Sequence, residues 1–189
     1  MKPKLLLLIA ILGLQTAWIL GTTFVQERAL AQGQCILLET QPVDPRDLLR
    51  GDYVILNYKI SDVPLTEFSP SLAAPPPAGS TVYVALTPRK DFYTVVRASA
   101  EKITPREGEV VLKGRTQTWW AGPPQSGAQP TIHVNYGLEQ YYVREGTGNP
   151  RGKLTVQVAV PASGQGRIKQ VLLDGKPYAE AMKASARRD

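Results

Sequence analysis

The chain has 189 residues, of which 43% are apolar and 20% are charged, and its formal net charge is +6. This length is enough for one ordinary domain with attachments, and the apolar content excludes a wholly disordered chain. Cys35 is the only cysteine and His133 the only histidine. An intrachain disulfide, a zinc site with several Cys and His ligands, and an iron–sulfur cluster are therefore excluded. We expect no cofactor and no metal site.

An uncharged, largely apolar run covers residues 5–25 and follows Lys2 and Lys4. At about 1.5 Å per residue, a helix of this length covers roughly 30 Å, the hydrocarbon thickness of a bilayer. The lysines favour a cytoplasmic amino terminus, because positive charge is retained on that side of a membrane. The sequence thus predicts a cytoplasmic start at 1–4, a transmembrane anchor in the lipid bilayer at 5–25 and an extracytoplasmic linker at 26–34.

A cleaved signal peptide is the main alternative to this anchor, because Ala29-Leu30-Ala31 is a small-x-small site after the apolar run. The run is longer than the usual apolar region of a signal peptide, about 7–15 residues. Glu27 and Arg28 also separate the run from the site. Both features favour an uncleaved anchor. A lipoprotein anchor is disfavoured, since the residues before Cys35 do not match a lipobox.

Beyond residue 32, apolar residues recur with period two, which is typical of half-buried strands. Residues 153–160 have leucine or valine at every second position from 154. Turn-forming Pro- and Gly-rich stretches separate the segments, so we expect a single mostly β domain over 35–178, either a barrel or sandwich-like. The candidate strands are 35–39, 53–60, 81–86, 92–98, 109–118, 131–136, 153–160 and 167–173.

The last part of the domain contains a predicted hairpin. Asp174-Gly175 is a favoured pair for a two-residue turn, because both turn positions tolerate positive φ. Strand 167–173 is therefore expected to fold back through 176–178. Residues 138–143 are compatible with one helical turn or a short strand. Residues 179–189 lack a core pattern and are expected to form a flexible basic tail that is frayed or weakly helical.

The most distinctive segment begins at Arg50 and has the sequence Arg-Gly-Asp-Tyr-Val-Ile-Leu-Asn-Tyr. Gly51, near its start, supplies a backbone conformation that other residues resist. From Tyr53 the side chains alternate between two faces, as in a strand. We expect one face to be buried in the core, and its members are Val54, Leu56, Tyr58 and Ile60.

This segment resembles the bacterial family that is named after its own motif, the GDYXXLXY proteins. Two later segments, 136–146 and 168–177, also look like blocks of that family. The resemblance implies a protein anchored in the bacterial inner (plasma) membrane, often associated with multi-pass membrane proteins, and it brings no catalytic residues. The matching motif positions are Gly51, Asp52, Tyr53, Leu56 and Tyr58.

Two residue groups are candidates for chemical sites. Asp44, Asp47 and Asp52 are close enough in sequence to bind a cation, but they lack calcium-loop spacing, and turn capping explains them better. Cys35 and His133 are the only thiol–imidazole pair available, and one residue of each type is weak grounds for a catalytic dyad. We therefore assign no catalytic and no metal-binding residue.

The order of a turn, Gly-Asp and a strand also looks like the core of type I signal peptidases. In those enzymes a nucleophilic serine lies a few residues before the Gly-Asp. Residues 42–50 contain neither serine nor threonine. The fold likeness is retained as an expectation, whereas peptidase activity is not, because a fold alone does not establish an activity.

Aromatic side chains are the best candidates for a binding surface, because Tyr and Trp concentrate binding energy at interfaces. The candidates are Trp119, Trp120, Tyr141 and Tyr142. No basic stripe with interleaved aromatics is present, which excludes nucleic acid as a partner. We expect a non-catalytic binding or accessory module for a membrane protein partner. The alternatives are a degenerate or unrecognised signal-peptidase-like hydrolase and an envelope ligand-binding domain.

Overall fold

A computed structural model describes residues 3–41, 53–70, 76–120, 129–143 and 152–185. It is mostly β, as predicted. Two short 3₁₀ turns, Lys59–Ser61 and Leu65–Glu67, supplement the helices and strands. The elements are α1 Pro3–Gln32, β1 Gln34–Glu39, β2 Tyr53–Ile55, β3 Asp62–Pro64, β4 Thr81–Arg89, β5 Phe92–Ser99, β6 Val110–Trp120, β7 Thr131–Asn135, β8 Gln140–Tyr142, β9 Leu154–Val160, β10 Arg167–Leu173, β11 Lys176–Pro177 and α2 Tyr178–Ser185.

The amino-terminal helix α1 is 30 residues long and continues through most of the predicted linker. Its large apolar side chains are exposed around the whole helix, with Leu14 at 75% and Trp18 at 74%. None of its apolar stretch is buried against the rest of the protein. By length and composition, α1 can cross a membrane.

The strands are paired in three antiparallel sheets. A four-stranded sheet has the order β1-β9-β10-β11, a five-stranded sheet has the order β3-β7-β6-β4-β5, and β2 pairs with β8 alone. The described strands therefore do not close into a barrel, which corrects the barrel alternative. Alternating polarity predicts strands, but it does not specify which strand pairs with the last one, and closure depends on that pairing.

One hydrophobic core joins the two larger sheets. Val156 and Val158 of β9 and Val84 and Leu112 of the five-stranded sheet are all fully buried in it. The predicted face of β9 is thus confirmed. Thr155, on its opposite face, is also buried, at 7% exposure. Strand β9 lies between β1 and β10 and contacts α1, so both of its faces are largely covered.

The motif strand β2 is shorter than the predicted strand over 53–60. The backbone N–H of Leu56 donates to the Glu139 carbonyl at 2.8 Å, and the carbonyl of Asn57 accepts from the Gln41 N–H at 2.7 Å. These bonds lie outside a regular ladder, and a 3₁₀ turn follows Tyr58. The alternation nevertheless continues, and the predicted buried face is confirmed.

The carboxyl-terminal part contains the expected hairpin and an additional helix. Asp174 and Gly175 both have positive φ, 49° and 79°, between β10 and β11. The segment that follows forms α2, so the start of the predicted tail is helical. Tyr178 and Met182, four positions apart on α2, are both buried in the shared core.

Candidate functional site

The described part of the motif runs from the surface of the protein to its core. Tyr53 is half-buried, whereas Leu56 and Tyr58 have no exposed surface. The predicted motif residues Arg50, Gly51 and Asp52 lie outside the described residues, as do the turn aspartates at 44 and 47. The interpretation of that turn therefore stays a prediction.

The motif strand is held by the second distinctive segment of the sequence. Strands β2 and β8 pair antiparallel, with Tyr53 opposite Tyr142 and Val54 opposite Tyr141. The strand alternative for residues 138–143 is therefore the one that the structure adopts. The Leu56 N–H bond to Glu139 extends the same contact beyond the two strands.

At the inner end of this contact, two buried tyrosines, one from each segment, donate hydrogen bonds to the backbone of the opposite segment. The Tyr58 hydroxyl donates to the carbonyl of Leu138 at 2.7 Å, and the Tyr136 hydroxyl donates to the carbonyl of Ile60 at 2.8 Å. Each hydroxyl thus binds the carbonyl two residues beyond the other tyrosine. We call Tyr58, Tyr136 and these two carbonyls the tyrosine clamp. It satisfies four polar groups that would otherwise be buried without partners.

The tyrosine clamp is suited to structure rather than to proton transfer. Burial raises the pKa of both Tyr58 and Tyr136 well above the ordinary value, and the nearby Glu139 carboxylate raises it further. Both phenols therefore remain protonated donors throughout the physiological range. Their rings are 0% and 1% exposed, so a substrate in solvent does not reach them.

The outer end of the motif contact presents tyrosine rings to solvent. The rings of Tyr53 and Tyr142 lie 6.1 Å apart with an interplanar angle of 59°. Tyr142 is 73% exposed. We call Tyr53 and Tyr142 the tyrosine surface. Tyr141 points elsewhere, because its ring packs edge-on against Tyr178 at 5.9 Å and is half-buried at the margin of the core.

The two tryptophans predicted for a binding surface lie at the end of β6. Their backbones pair with β7, Trp119 opposite Ile132 and Trp120 opposite Thr131. The side chains of both tryptophans lie outside the described part of the structure. Their place on a binding surface therefore stays a prediction.

The structure does not bring Cys35 and His133 together. Cys35 is exposed on β1, opposite Ala159, whereas His133 lies on β7 in the five-stranded sheet. The His133 ring binds Asp62 instead, with 2.8 Å between Nδ1 and Oδ1. Sequence reasoning missed this pair, because the three-residue strand that carries Asp62 has no alternating pattern of its own. In the described ranges, no three His, Cys, Asp or Glu side chains are grouped to hold a metal ion.

A charged cluster lies beside the motif on the edge of the four-stranded sheet. Glu39 pairs with Lys153 at 2.5 Å and with Lys59 at 2.8 Å. Hydrogen bonds from Lys153 and Lys59 lower the pKa of the Glu39 carboxyl below its ordinary value. The Lys153 ammonium also lies 4.8 Å from the centre of the Phe92 ring. Because both ammonium groups are largely exposed, such contacts contribute about 0–1 kcal/mol each and orient the surface more than they stabilise it.

Comparison with protein families matches residues 15–171 to the GDYXXLXY protein family. That range covers most of the chain, including the described motif and the whole tyrosine clamp. The chain belongs to the GDYXXLXY family. Comparisons of this GDYXXLXY protein with curated proteins and with solved structures gave no match.

The three described motif positions of this GDYXXLXY protein have three different environments. Tyr53 belongs to the tyrosine surface, Leu56 fills the core, and Tyr58 closes the tyrosine clamp. The sequence identified the motif and residues 136–143 as separate blocks. Their mutual binding is carried by contacts about 80 positions apart in the chain, such as Tyr58 to Leu138, which no local pattern reveals.

Proposed function

We propose that this protein is a single-pass, membrane-anchored module whose β head lies outside the cytoplasm and binds a membrane protein partner without catalysing a reaction. The observation that carries the proposal is α1, an apolar helix whose large side chains are exposed around its whole circumference. Leaving such a surface in water costs about 25 cal/mol per Å² of apolar area, and a bilayer removes this cost. Lys2 and Lys4, which precede the apolar run of α1, favour an extracytoplasmic head.

Anchoring also supports a binding role. A head confined to a membrane meets other membrane proteins at a high effective concentration, so that a small interface is sufficient. The two larger sheets share one core, and we interpret the head as a sandwich-like scaffold for such an interface.

The tyrosine surface is the proposed contact with the partner. Tyr142 is largely exposed and has Tyr53 beside it, and rigid tyrosine rings contribute strongly to interfaces at low entropic cost. The clamp beneath holds both strands in register, which preorganises the two rings. The signal-peptidase-like alternative lacks comparable support, because a hydroxyl nucleophile has to be reached by the substrate. In the described motif region, Thr40, Tyr58 and Ser61 carry hydroxyl groups, and all three residues are buried.

Site-specific photocrosslinking tests the binding role in native membranes. A benzophenone side chain is placed at position 142 of the full-length protein, and at position 96 as the control. Val96 is another exposed apolar residue, 37% exposed, but it lies on β5 of the five-stranded sheet. We expect a discrete adduct with an integral membrane protein from position 142 and none from position 96. Equal adducts from both positions, or none, would contradict the proposed surface.

The unique cysteine tests the topology directly. Cys35 is exposed and lies three residues beyond the end of α1, so that it reports the side of the membrane on which the head begins. A membrane-impermeant maleimide is expected to label the protein in sealed right-side-out vesicles, and Cys35→Ser removes the label. Labelling that requires permeabilised vesicles would place the head in the cytoplasm and end this part of the proposal.

A further inference from the structure

A groove of about 570 Å³ lies where α1 meets the turn between β9 and β10. Its helix wall holds Phe24, Val25 and Arg28, and its head wall holds Ser163 and Arg167. It therefore combines an apolar end with two guanidinium groups. Nothing in the family motif or in the tyrosine surface accounts for it.

Among the described residues, the two arginines of this groove lack anionic partners. In the described part of the chain, neither Arg28 nor Arg167 has a carboxylate within ion-pair distance. The Arg28 Nε has one neutral contact, to the Gln32 side-chain oxygen at 3.4 Å. Two cations that line one cavity repel each other until an anion joins them. A guanidinium pairs best with planar or tetrahedral oxyanions, above all phosphate.

The apolar end of the groove determines what carries the anion. Phe24 and Val25 are 62% and 66% exposed and belong to the last turns of the apolar run of α1. Arg28 follows about 5 Å further along the helix axis, since each residue adds about 1.5 Å. If α1 spans a bilayer, its apolar run ends at the hydrocarbon boundary, and Arg28 stands at the level of the phosphates.

We propose that this groove binds the headgroup of an anionic phospholipid, with Arg28 and Arg167 on the phosphate and Phe24 and Val25 against the first acyl carbons. The inference rests on the proposed anchoring by α1. It adds a specific lipid site that fixes the head against the membrane surface. A soluble phosphate would satisfy the two arginines but would leave the apolar end in contact with water.

Native mass spectrometry of the full-length protein in detergent tests the site. The protein is titrated with phosphatidylglycerol, which is anionic, or with phosphatidylcholine, which is zwitterionic. We expect phosphatidylglycerol to be retained about tenfold better, because basic side chains near a lipid surface favour anionic lipids. Inorganic phosphate at millimolar concentration is expected not to displace it.

A matched pair of double variants locates the effect. Arg28→Gln with Arg167→Gln should abolish the preference, whereas Arg89→Gln with Arg115→Gln removes the same charge from exposed head positions and should leave it unchanged. The single variant Arg28→Gln changes a residue on an exposed face of α1, so its effect does not depend on whether the head folds correctly. It should lower the preference several-fold, and Arg28→Lys should retain most of it.

The outcomes separate this proposal from that of the anchor. If the full-length protein is detected without a preference for phosphatidylglycerol, or if both double variants lose the preference equally, the lipid site is overturned and the anchor is left intact. Displacement of the lipid by inorganic phosphate overturns the assignment to a lipid. A mass that lacks α1, or extraction of the protein from membranes by alkaline carbonate, overturns the anchor itself.

Discussion

The inner and outer parts of the motif differ in burial and in what their side chains contact. Leu56 and Tyr58, the inner part, are fully buried, and the hydroxyl of Tyr58 binds the Leu138 carbonyl. Tyr53, the outer part, is half-buried beside the exposed ring of Tyr142. The difference shows that a compact sequence signature need not mark an active site. Here its inner part builds the platform, and only its outer part reaches the surface.

The largest effect is expected from the inner part. Leu56→Ala should lower the free energy of unfolding by about 2–5 kcal/mol, because a fully buried leucine leaves a cavity. Ile55→Ala, at the adjacent half-buried position on the opposite face, is the control and should cost clearly less. Chemical denaturation of the full-length protein in detergent measures both. Equal losses would mean that the two faces of the motif are not different.

The tyrosine clamp should give the next largest effect. Tyr58→Phe should cost about 1–3 kcal/mol, because the Leu138 carbonyl loses its donor while it remains buried. Tyr136→Phe should act similarly through Ile60. If the clamp is one unit, the double variant should deviate from additivity by at least about 0.5 kcal/mol. Tyr53→Phe is the matched control, and a loss as large as that of Tyr58→Phe would contradict the division of the motif.

A charge pair away from the motif sharpens the comparison by its dependence on pH. Arg97 Nη2 lies 2.6 Å from Glu109 Oε2, and the Arg97 Nε donates to the second carboxylate oxygen at 3.2 Å. Hydrogen bonding from Arg97 lowers the pKa of Glu109. The pair therefore stabilises the fold fully above the ordinary pKa of a glutamate, and this contribution is lost as the pH falls through the lowered value.

Glu109→Gln should accordingly cost about 1 kcal/mol at neutral pH and progressively less as the pH becomes acidic. Unfolding curves at several pH values should show the free energies of unfolding of the variant and of the unmodified protein approaching each other as the pH falls. Leu56→Ala should cost the same at every pH, since no titrating group is involved. If Glu109→Gln lowers the free energy of unfolding by the same amount at every pH, packing or neutral hydrogen bonds, and not the charge of Glu109, stabilise this contact.

The smallest effect on stability is expected at the tyrosine surface. Tyr142→Ala should change the free energy of unfolding by no more than about 0.5 kcal/mol, because the side chain is largely exposed. Recovery of the photocrosslinked partner from a second reporter position on the tyrosine surface, position 53, should nevertheless fall. A large loss of stability without a loss of the adduct would assign Tyr142 to folding and leave the partner surface elsewhere.

The sequence was sufficient for the local features of this fold. Alternation identified the buried face from Val54 to Ile60, and the Asp174-Gly175 turn was recognised from its tolerance of positive φ. These features depend on neighbours along the chain. Helix α2 was expected only as a weakly helical alternative for the tail, because one buried pair, Tyr178 and Met182, is too little for a periodic pattern.

The contacts that build the candidate site are of another kind. The reciprocal binding of Tyr58 and Tyr136 depends on how two distant segments pack, and the groove at Arg28 depends on where the β9–β10 turn meets a helix. In the sequence, none of these tyrosines and arginines has a neighbour that marks it as special. Their shared roles depend on contacts that form only in the folded structure.

The junction between α1 and β1 limits how far the β domain can lie from the end of the helix. Helix α1 ends at Gln32 and β1 begins at Gln34, so that Gly33 alone separates them. Strand β1 is hydrogen-bonded to β9 along its entire length, from Gln34 to Glu39. A connection of one residue keeps the start of β1 within about 8 Å of the last residue of α1, because consecutive Cα atoms lie about 3.8 Å apart. The β domain therefore stays next to the end of the helix, whichever angle the glycine gives the two.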